Sequence, residues 1–143
     1  MTAPATAPPA TSAWRALRTP LVVGAGGLAL ASLLHFRDPN VSGSYGFCPF
    51  KLVTGWDCPG CGGLRAVHAL TDLDVAVALS SNVLAVLLVA TLAVAYLAWI
   101  PRRLADPRAS MIAISSRTGV VLIAIGFVFT VVRNTPWGSW LAP

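Results

Sequence analysis

The stretch VLAVLLVATLAVAYLAWI, residues 83–100, decides the fold class of this chain. It contains no charged side chain, and at about 1.5 Å of rise per residue a helix of this length nearly crosses a ~30 Å hydrocarbon core. Tyr96 and Trp99 lie near its end, and Arg102 and Arg103 follow it. Aromatic and basic residues in that order are typical of a span that ends at a membrane interface. The stretch therefore predicts a transmembrane helix.

Two further apolar segments flank this stretch, at residues 21–36 and 113–132. The chain has 143 residues, of which 56% are hydrophobic and only 10% charged, and its mean hydropathy is +0.74. An ordinary soluble domain carries about 25% charged residues. Because so few charges cannot cover three apolar helices, the bilayer is their expected solvent. The sequence predicts an all-α membrane protein with three transmembrane helices.

Residues 1–20 are rich in Ala, Pro and Thr, and this composition predicts a disordered tail. The segment at residues 21–36 also has a second interpretation, a cleaved secretory signal. A basic lead precedes its apolar core, and residues 29–31 read Ala-Leu-Ala, a small-x-small cleavage site. The long lead and the continued apolar run favour a membrane span.

The basic residues predict the orientation of the chain in the membrane. Arg15 and Arg18 precede the first span, and four more arginines lie between the second and third spans. The other side has four basic residues spread over a longer stretch that also holds four aspartates. The positive-inside rule then places the amino terminus in the cytoplasm and the loop after the first span outside. The net charge of +5 is explained as topology-setting rather than as a nucleic-acid signal.

The segment between the first two spans divides into a loop and two short helices. Residues 37–62 are rich in Gly, Pro and polar residues and are expected to form a loop. Residues 63–81 show helical spacing with a break at Thr71 and Asp72, where Asp72 is predicted to cap the second helix. We expect residues 63–81 to form two short helices at the interface.

All three cysteines of the chain fall within this loop, at Cys48, Cys58 and Cys61. The segment Cys-Pro-Gly-Cys-Gly, residues 58–62, favours a tight turn whose amides point at the sulfurs. Zinc binds four such ligands in a tetrahedron. The sequence predicts a zinc site formed by Cys48, Cys58, Cys61 and His68, with Asp72 holding the second nitrogen of His68.

Other uses of the cysteines stay open at this point. In an oxidising compartment, Cys48 is expected to form a disulfide with Cys58 or Cys61. A redox-active Cys58–Cys61 pair is a further interpretation, because a helix amino terminus near Cys61 lowers thiol pKa. The last interpretation is that the cysteines are buried structural thiols.

A set of residues around the cysteines resembles a family of small bacterial membrane proteins catalogued as domain of unknown function 2752. The likeness covers about residues 45–137 and consists of Cys48-Pro49, Thr54-Gly55, Cys58-Pro59-Gly60-Cys61-Gly62, Arg65-Ala66, Asn82, and Arg133-Asn134 with Pro136. The family usually has Thr where this chain has Leu64, and often Pro where it has Val83. The resemblance implies an integral protein of the bacterial inner membrane and assigns no activity.

The sequence carries no nucleophile with a base, no phosphate loop and no catalytic motif beyond the cysteines. It therefore predicts a non-enzymatic accessory or interaction protein whose cysteine loop is stabilised by zinc or a disulfide. The alternative is a membrane thiol-redox or metal-handling protein that uses Cys58 and Cys61. Expected partners are the lipid bilayer and a second copy or another membrane protein. Arg65 and Arg133 are predicted to be structural anchors bound to carbonyls or carboxylates.

Overall fold

The computed structural model describes residues 10–41, 45, 47–113 and 115–142, and the regular structure in these ranges is helical. Five α-helices are followed by a short 3₁₀ helix. Their bounds are Ala10–Phe36 (α1), Pro49–Thr54 (α2), Gly63–Thr71 (α3), Val75–Ala105 (α4), Ser116–Arg133 (α5) and Pro136–Leu141 (the 3₁₀ helix). Within α1, α4 and α5, the segments Trp14–Phe36, Val75–Ala105 and Ser116–Arg133 are long and apolar enough to cross a membrane. The predicted all-α fold with three such helices is confirmed.

The first helix begins at Ala10 and not at Leu21, where the sequence analysis placed its start. Residues 10–20 are therefore helical rather than part of a disordered tail, and residues 1–9 lie outside the described residues. Pro20 is accommodated inside the helix and is fully buried. The reason for the longer helix is reach, since 16 residues at about 1.5 Å each fall short of a ~30 Å core.

The fourth helix contains a break at Asn82, whose backbone is extended with φ −167° and ψ 99°. Residues 75–81 before the break form a short helix, as the sequence predicts, and the long apolar helix continues from residue 83. Asp74 caps the start of α4, because its side chain accepts a hydrogen bond of 3.0 Å from the backbone N–H of Val77. The prediction that Asp72 provides this cap is wrong. Asp72 instead ends α3.

The third apolar helix runs over Ser116–Arg133, within a few residues of the predicted bounds, and Ser115 caps it by accepting from the N–H of Thr118 at 3.1 Å. Two short helices were not predicted. Both α2 and the 3₁₀ helix begin at a proline, Pro49 and Pro136. Proline suits a first helical position because its N–H would have no partner there.

The long helices bury little of their apolar surface within the chain. Only 6%, 6% and 11% of the residues in the most apolar windows of α1, α4 and α5 are buried. The first helix packs on α3 and α4, whereas α5 makes little direct contact with α1 or α4. Lipid contact is consistent with these exposed apolar faces.

The buried residues concentrate at one end of the molecule. Ala66, Ala69 and Ala78 are buried where α3 meets the start of α4. Asn82 in α4 and Arg133 at the end of α5 are also buried there, near the cysteines. Ala16, Pro20 and Trp99 are also buried, but away from the cysteines. Trp99 lies near the other end of α4, where its indole N–H donates to the carbonyl of Ala109 at 2.7 Å. The end of the molecule that holds the cysteines, with α2, α3 and the C-terminal end of α5, is hereafter called the cysteine end.

Candidate metal centre

The segment Cys58–Gly62 folds as a tight turn between the loop and α3. The N–H of Cys61 donates to the carbonyl of Cys58 at 3.1 Å, and the N–H of Gly63 donates to the carbonyl of Gly60 at 2.8 Å. Gly62 adopts φ +77°, a left-handed conformation that glycine reaches without strain, and it immediately precedes α3. The turn thus places the side chains of Cys58 and Cys61 close together, just before the start of α3.

The three cysteine sulfurs converge. The Sγ atoms of Cys58 and Cys61 are 3.1 Å apart, and the Sγ atoms of Cys48 and Cys58 are 3.5 Å apart. All three sulfurs lie within 4.8 Å of one another. Cys48 reaches the turn because α2 begins directly after it. The predicted convergence of the cysteines is confirmed.

The sulfur positions are those of three separate thiols. A disulfide requires an S–S distance of about 2.05 Å, and Cys48, Cys58 and Cys61 are all unpaired in this structure. Zinc–sulfur bonds of about 2.3 Å in a tetrahedron hold sulfurs roughly 3.8 Å apart. The observed spacing is therefore close to what three ligands of one metal ion need.

Two of the thiols have displaced pKa values. Burial raises the pKa of Cys61 to about 12, so this thiol keeps its proton at neutral pH unless a cation displaces it. The backbone amide of Lys51, in the first turn of α2, lowers the pKa of Cys48, and the Cys58 thiol contributes in the same direction. The cluster therefore combines Cys48, whose pKa is lowered, with Cys61, whose thiol loses its proton at neutral pH only when a cation displaces it.

Three side chains from distant parts of the chain bind the backbone of the turn, and we call them the carbonyl clamp: Asn82, Arg133 and Asn134. The Asn82 amide donates to the carbonyls of Pro59 and Cys61, both at 2.9 Å. Its oxygen accepts from the N–H of Ala85 at 2.9 Å, so it also caps the helix after the break. The break in α4 therefore serves to aim one buried amide at the cysteine turn.

The remaining two members of the clamp come from the end of α5. Arg133 donates through Nη1 to the carbonyls of Cys58 at 2.9 Å and Cys61 at 3.2 Å. Asn134 exchanges hydrogen bonds with the backbone of Asp57, at 2.8 and 2.9 Å. The predicted anchoring role of Arg133 is confirmed. Asn82 and Asn134 were missed as site residues, and their place in the family resemblance was the available signal.

Arg133 is a buried cation without a carboxylate. It is 2% exposed, and its guanidinium carbon lies 5.0 Å from the centre of the Phe129 ring. Its Nε and Nη2 atoms have no hydrogen-bond partner among the described residues, and no ion pair within those residues involves it. A buried charge of this kind is costly unless a neighbouring group compensates it.

His68, the predicted fourth ligand, lies outside the group of sulfurs. Its Nδ1 is 2.8 Å from the carbonyl oxygen of Leu34, and its Nε2 is 3.5 Å from Asp72 and 3.7 Å from Asp38. Asp72 therefore faces His68 as the sequence suggested, and it also binds His35 at 2.9 Å. Within the described residues, the group with metal-binding spacing consists of the three cysteines.

An open cleft of about 540 Å³ borders the cysteine cluster. Its lining includes all three cysteines together with Lys51, Asp57 and Arg65, and it also includes Tyr45 and Phe47. Lys51 and Asp57 form an ion pair of 2.7 Å. Asp57, a carboxylate in the same lining as Arg65, is thus bound to Lys51.

No curated protein and no solved structure matches the chain significantly. A family match exists for the segment that holds the cysteines, α2, α3 and much of α4, and it confirms the resemblance seen in the sequence over that segment. Residues 48–96 match the family described as Protein of unknown function (DUF2752).

Proposed function

We propose that this chain is a small membrane protein that binds one zinc ion through Cys48, Cys58 and Cys61 at the membrane interface. The observation that carries the proposal is the convergence of three unpaired sulfurs within 4.8 Å beside a buried cation. Zinc is favoured because thiolates are its common ligands and the ion imposes no other geometry than the tetrahedron. The fourth position opens to the cleft.

Charge favours a metal over the other uses of the cysteines. Three thiols, or one disulfide and one thiol, are neutral and leave Arg133 uncompensated. Three thiolates with one Zn²⁺ carry a single net negative charge, which offsets one guanidinium. The clamp brings Arg133 to the carbonyls of both Cys58 and Cys61, so the opposite charges would be close neighbours. Metal binding would thus supply a counter-charge for Arg133.

The placement in the membrane is part of the proposal. We place the cysteine end at the outer interface of a bacterial inner membrane and the amino terminus in the cytoplasm, on the arginine distribution alone. Trp56, Trp137 and Trp140 are exposed at the cysteine end, and exposed tryptophans suit the headgroup layer. We assign the metal site a binding role in an accessory protein, because the three cysteines are the group with metal-binding spacing among the described residues.

The first test is metal binding by the detergent-purified chain. We expect one equivalent of Zn²⁺ after metal analysis, and Co²⁺ in its place should show thiolate charge-transfer absorption with the intense d–d bands of a tetrahedral site. Cys48→Ser should lower the affinity by at least tenfold, because one of three ligands becomes a poor one. His68→Gln is the matched control and should leave the affinity unchanged. If the wild type with Co²⁺ shows no thiolate charge-transfer absorption, the proposal is contradicted.

The pH dependence of binding gives a second check with a defined sign. Zinc must displace the protons that the thiols carry, and the pKa of Cys61 is about 12. Zinc affinity should therefore rise with pH throughout the neutral range and fall as the pH is lowered, by up to about tenfold per unit for each proton released. A flat profile between pH 6 and 8 would show that the thiols are not the ligands.

A second candidate function, thiol-disulfide exchange, rests on the 3.1 Å between the sulfurs of Cys58 and Cys61. It predicts that protein purified without reductant has a Cys58–Cys61 disulfide, a single reactive thiol and no metal. The zinc proposal predicts three thiols that become reactive together when a chelator is added. Thiol counting with and without chelator distinguishes the two.

A further inference from the structure

The cleft beside the cysteines contains an arginine that the zinc site does not use. Arg65 lies on α3, half-buried, and lines the cleft together with all three cysteines. Its side chain takes part in none of the ion pairs of the described residues. The local partner that the sequence predicts for Arg65 stays a prediction.

The charges around the cluster leave Arg65 in excess. Lys51 and Asp57 neutralise each other through their 2.7 Å ion pair. Arg133 offsets the single negative charge of zinc with three thiolates. Asp57 raises the pKa of Lys51 most, the Cys61 sulfur raises it further, and the positive charge of Arg65 lowers it. These groups therefore lie close enough to interact electrostatically. The positive charge of Arg65 remains, and it lies in the cleft that the three cysteines line.

We propose, building on the zinc site above, that this cleft binds a small anionic thiol. Its sulfur would occupy the fourth position on the metal, and its carboxylate would bind the guanidinium of Arg65. On binding, the thiol loses its proton to solvent and the thiolate replaces water on zinc. A planar guanidinium suits a carboxylate because it can donate two parallel hydrogen bonds.

The shape of the cleft agrees with a ligand of this class. Its volume of about 540 Å³ exceeds what a water ligand needs and falls within the range of small-molecule sites. Tyr45 and Phe47 provide an aromatic part of the wall, and Lys51, Asp57 and Arg65 provide its charged groups.

The experiment compares two thiols that differ only in charge, 3-mercaptopropionate and 3-mercapto-1-propanol. Each is titrated, at equal thiolate concentration, into Co²⁺-loaded protein, and the shift of the d–d bands reports entry of a fourth sulfur. The wild type should bind the carboxylate thiol about tenfold more tightly. Arg65→Gln should abolish this preference, and Arg65→Lys should retain part of it. Arg108→Gln, an exposed arginine in the connection after α4, is the matched control and should retain all of it.

The outcomes separate the two proposals. If Co²⁺ binds but the wild type binds both thiols equally, the anionic-thiol proposal is overturned while the zinc site stands. If Arg65→Gln abolishes Co²⁺ binding itself, Arg65 supports the metal site, and the anionic-thiol proposal is overturned. If Co²⁺ does not bind to the wild type, both proposals are overturned.

Discussion

The cysteine end and the three apolar helices are held together in different ways. At the cysteine end, buried side chains from α4 and α5 donate to backbone carbonyls of the turn, and Asn82 and Arg133 are only 1% and 2% exposed. Along the helices, large apolar side chains such as Ile123 and Phe127 are exposed. The end of α5 is held by the hydrogen bonds of Arg133 and Asn134 and by the 3₁₀ helix, which packs on both α4 and α5.

This difference has a physical basis. Apolar helices in lipid gain nothing from burial against each other by the hydrophobic effect, since lipid tails are equally apolar. Polar groups that are taken out of water, by contrast, lose free energy unless each one finds a partner. The clamp satisfies the carbonyls of the cysteine turn, so it fixes a unique geometry there while the spans remain loosely coupled.

The largest effect is expected for Arg133→Met. Loss of the two hydrogen bonds and of the counter-charge should lower the free energy of unfolding of the zinc-loaded protein by about 3 kcal/mol. The measurement is SDS-induced unfolding in mixed micelles, with and without zinc. The loss should be smaller without zinc, because the metal-free thiols carry no charge for Arg133 to offset. An equal loss in both states would contradict the counter-charge role.

An intermediate effect is expected for Asn82→Ala. The variant loses both donations to the turn and the cap on Ala85, which should cost about 2 kcal/mol of unfolding free energy. Ser80→Ala, on an exposed part of the same helix, is the control and should change stability by less than about 0.5 kcal/mol. Zinc affinity should fall with Asn82→Ala only. If both variants behave alike, the break at Asn82 has no role in holding the turn.

The smallest effect is expected away from the cysteine end. The Tyr96 hydroxyl donates to the carbonyl of Pro20 at 2.9 Å and lies so close to Gly24 that a side chain there would collide with it. Tyr96→Phe should therefore cost about 0.6 kcal/mol, the average for hydrogen bonds between membrane helices. Ile123→Val, on the exposed face of α5, should change the unfolding free energy by still less. A loss above that of Asn82→Ala would reverse the comparison between the two regions.

The convergence of the cysteines could be anticipated from the sequence, but most of the contacts that hold the cysteine end together could not. Clustering of Cys48, Cys58 and Cys61 in one loop predicted their convergence, because a short loop restricts the distances between its residues. Of the clamp, only the anchoring role of Arg133 was predicted. Asn82 and Asn134 stand out in the family resemblance, but neither has a local sequence pattern that signals a carbonyl partner. The fourth ligand illustrates the same limit. Spacing suggested His68, whereas its ring binds the end of α1 and faces two aspartates.

The sequence by itself determined the fold class, because runs of apolar residues too long to cover require lipid, and the periodicity and length of those runs specify helices. It also determined which residues form the thiol cluster, since the chain has no other cysteines. Only the tertiary structure decided where α1 begins, that α4 breaks at Asn82, and that the end of α5 returns to the cysteine turn. These features depend on partners distant in the chain, and a polar group that is to be buried is placed by its partner rather than by its neighbours in sequence.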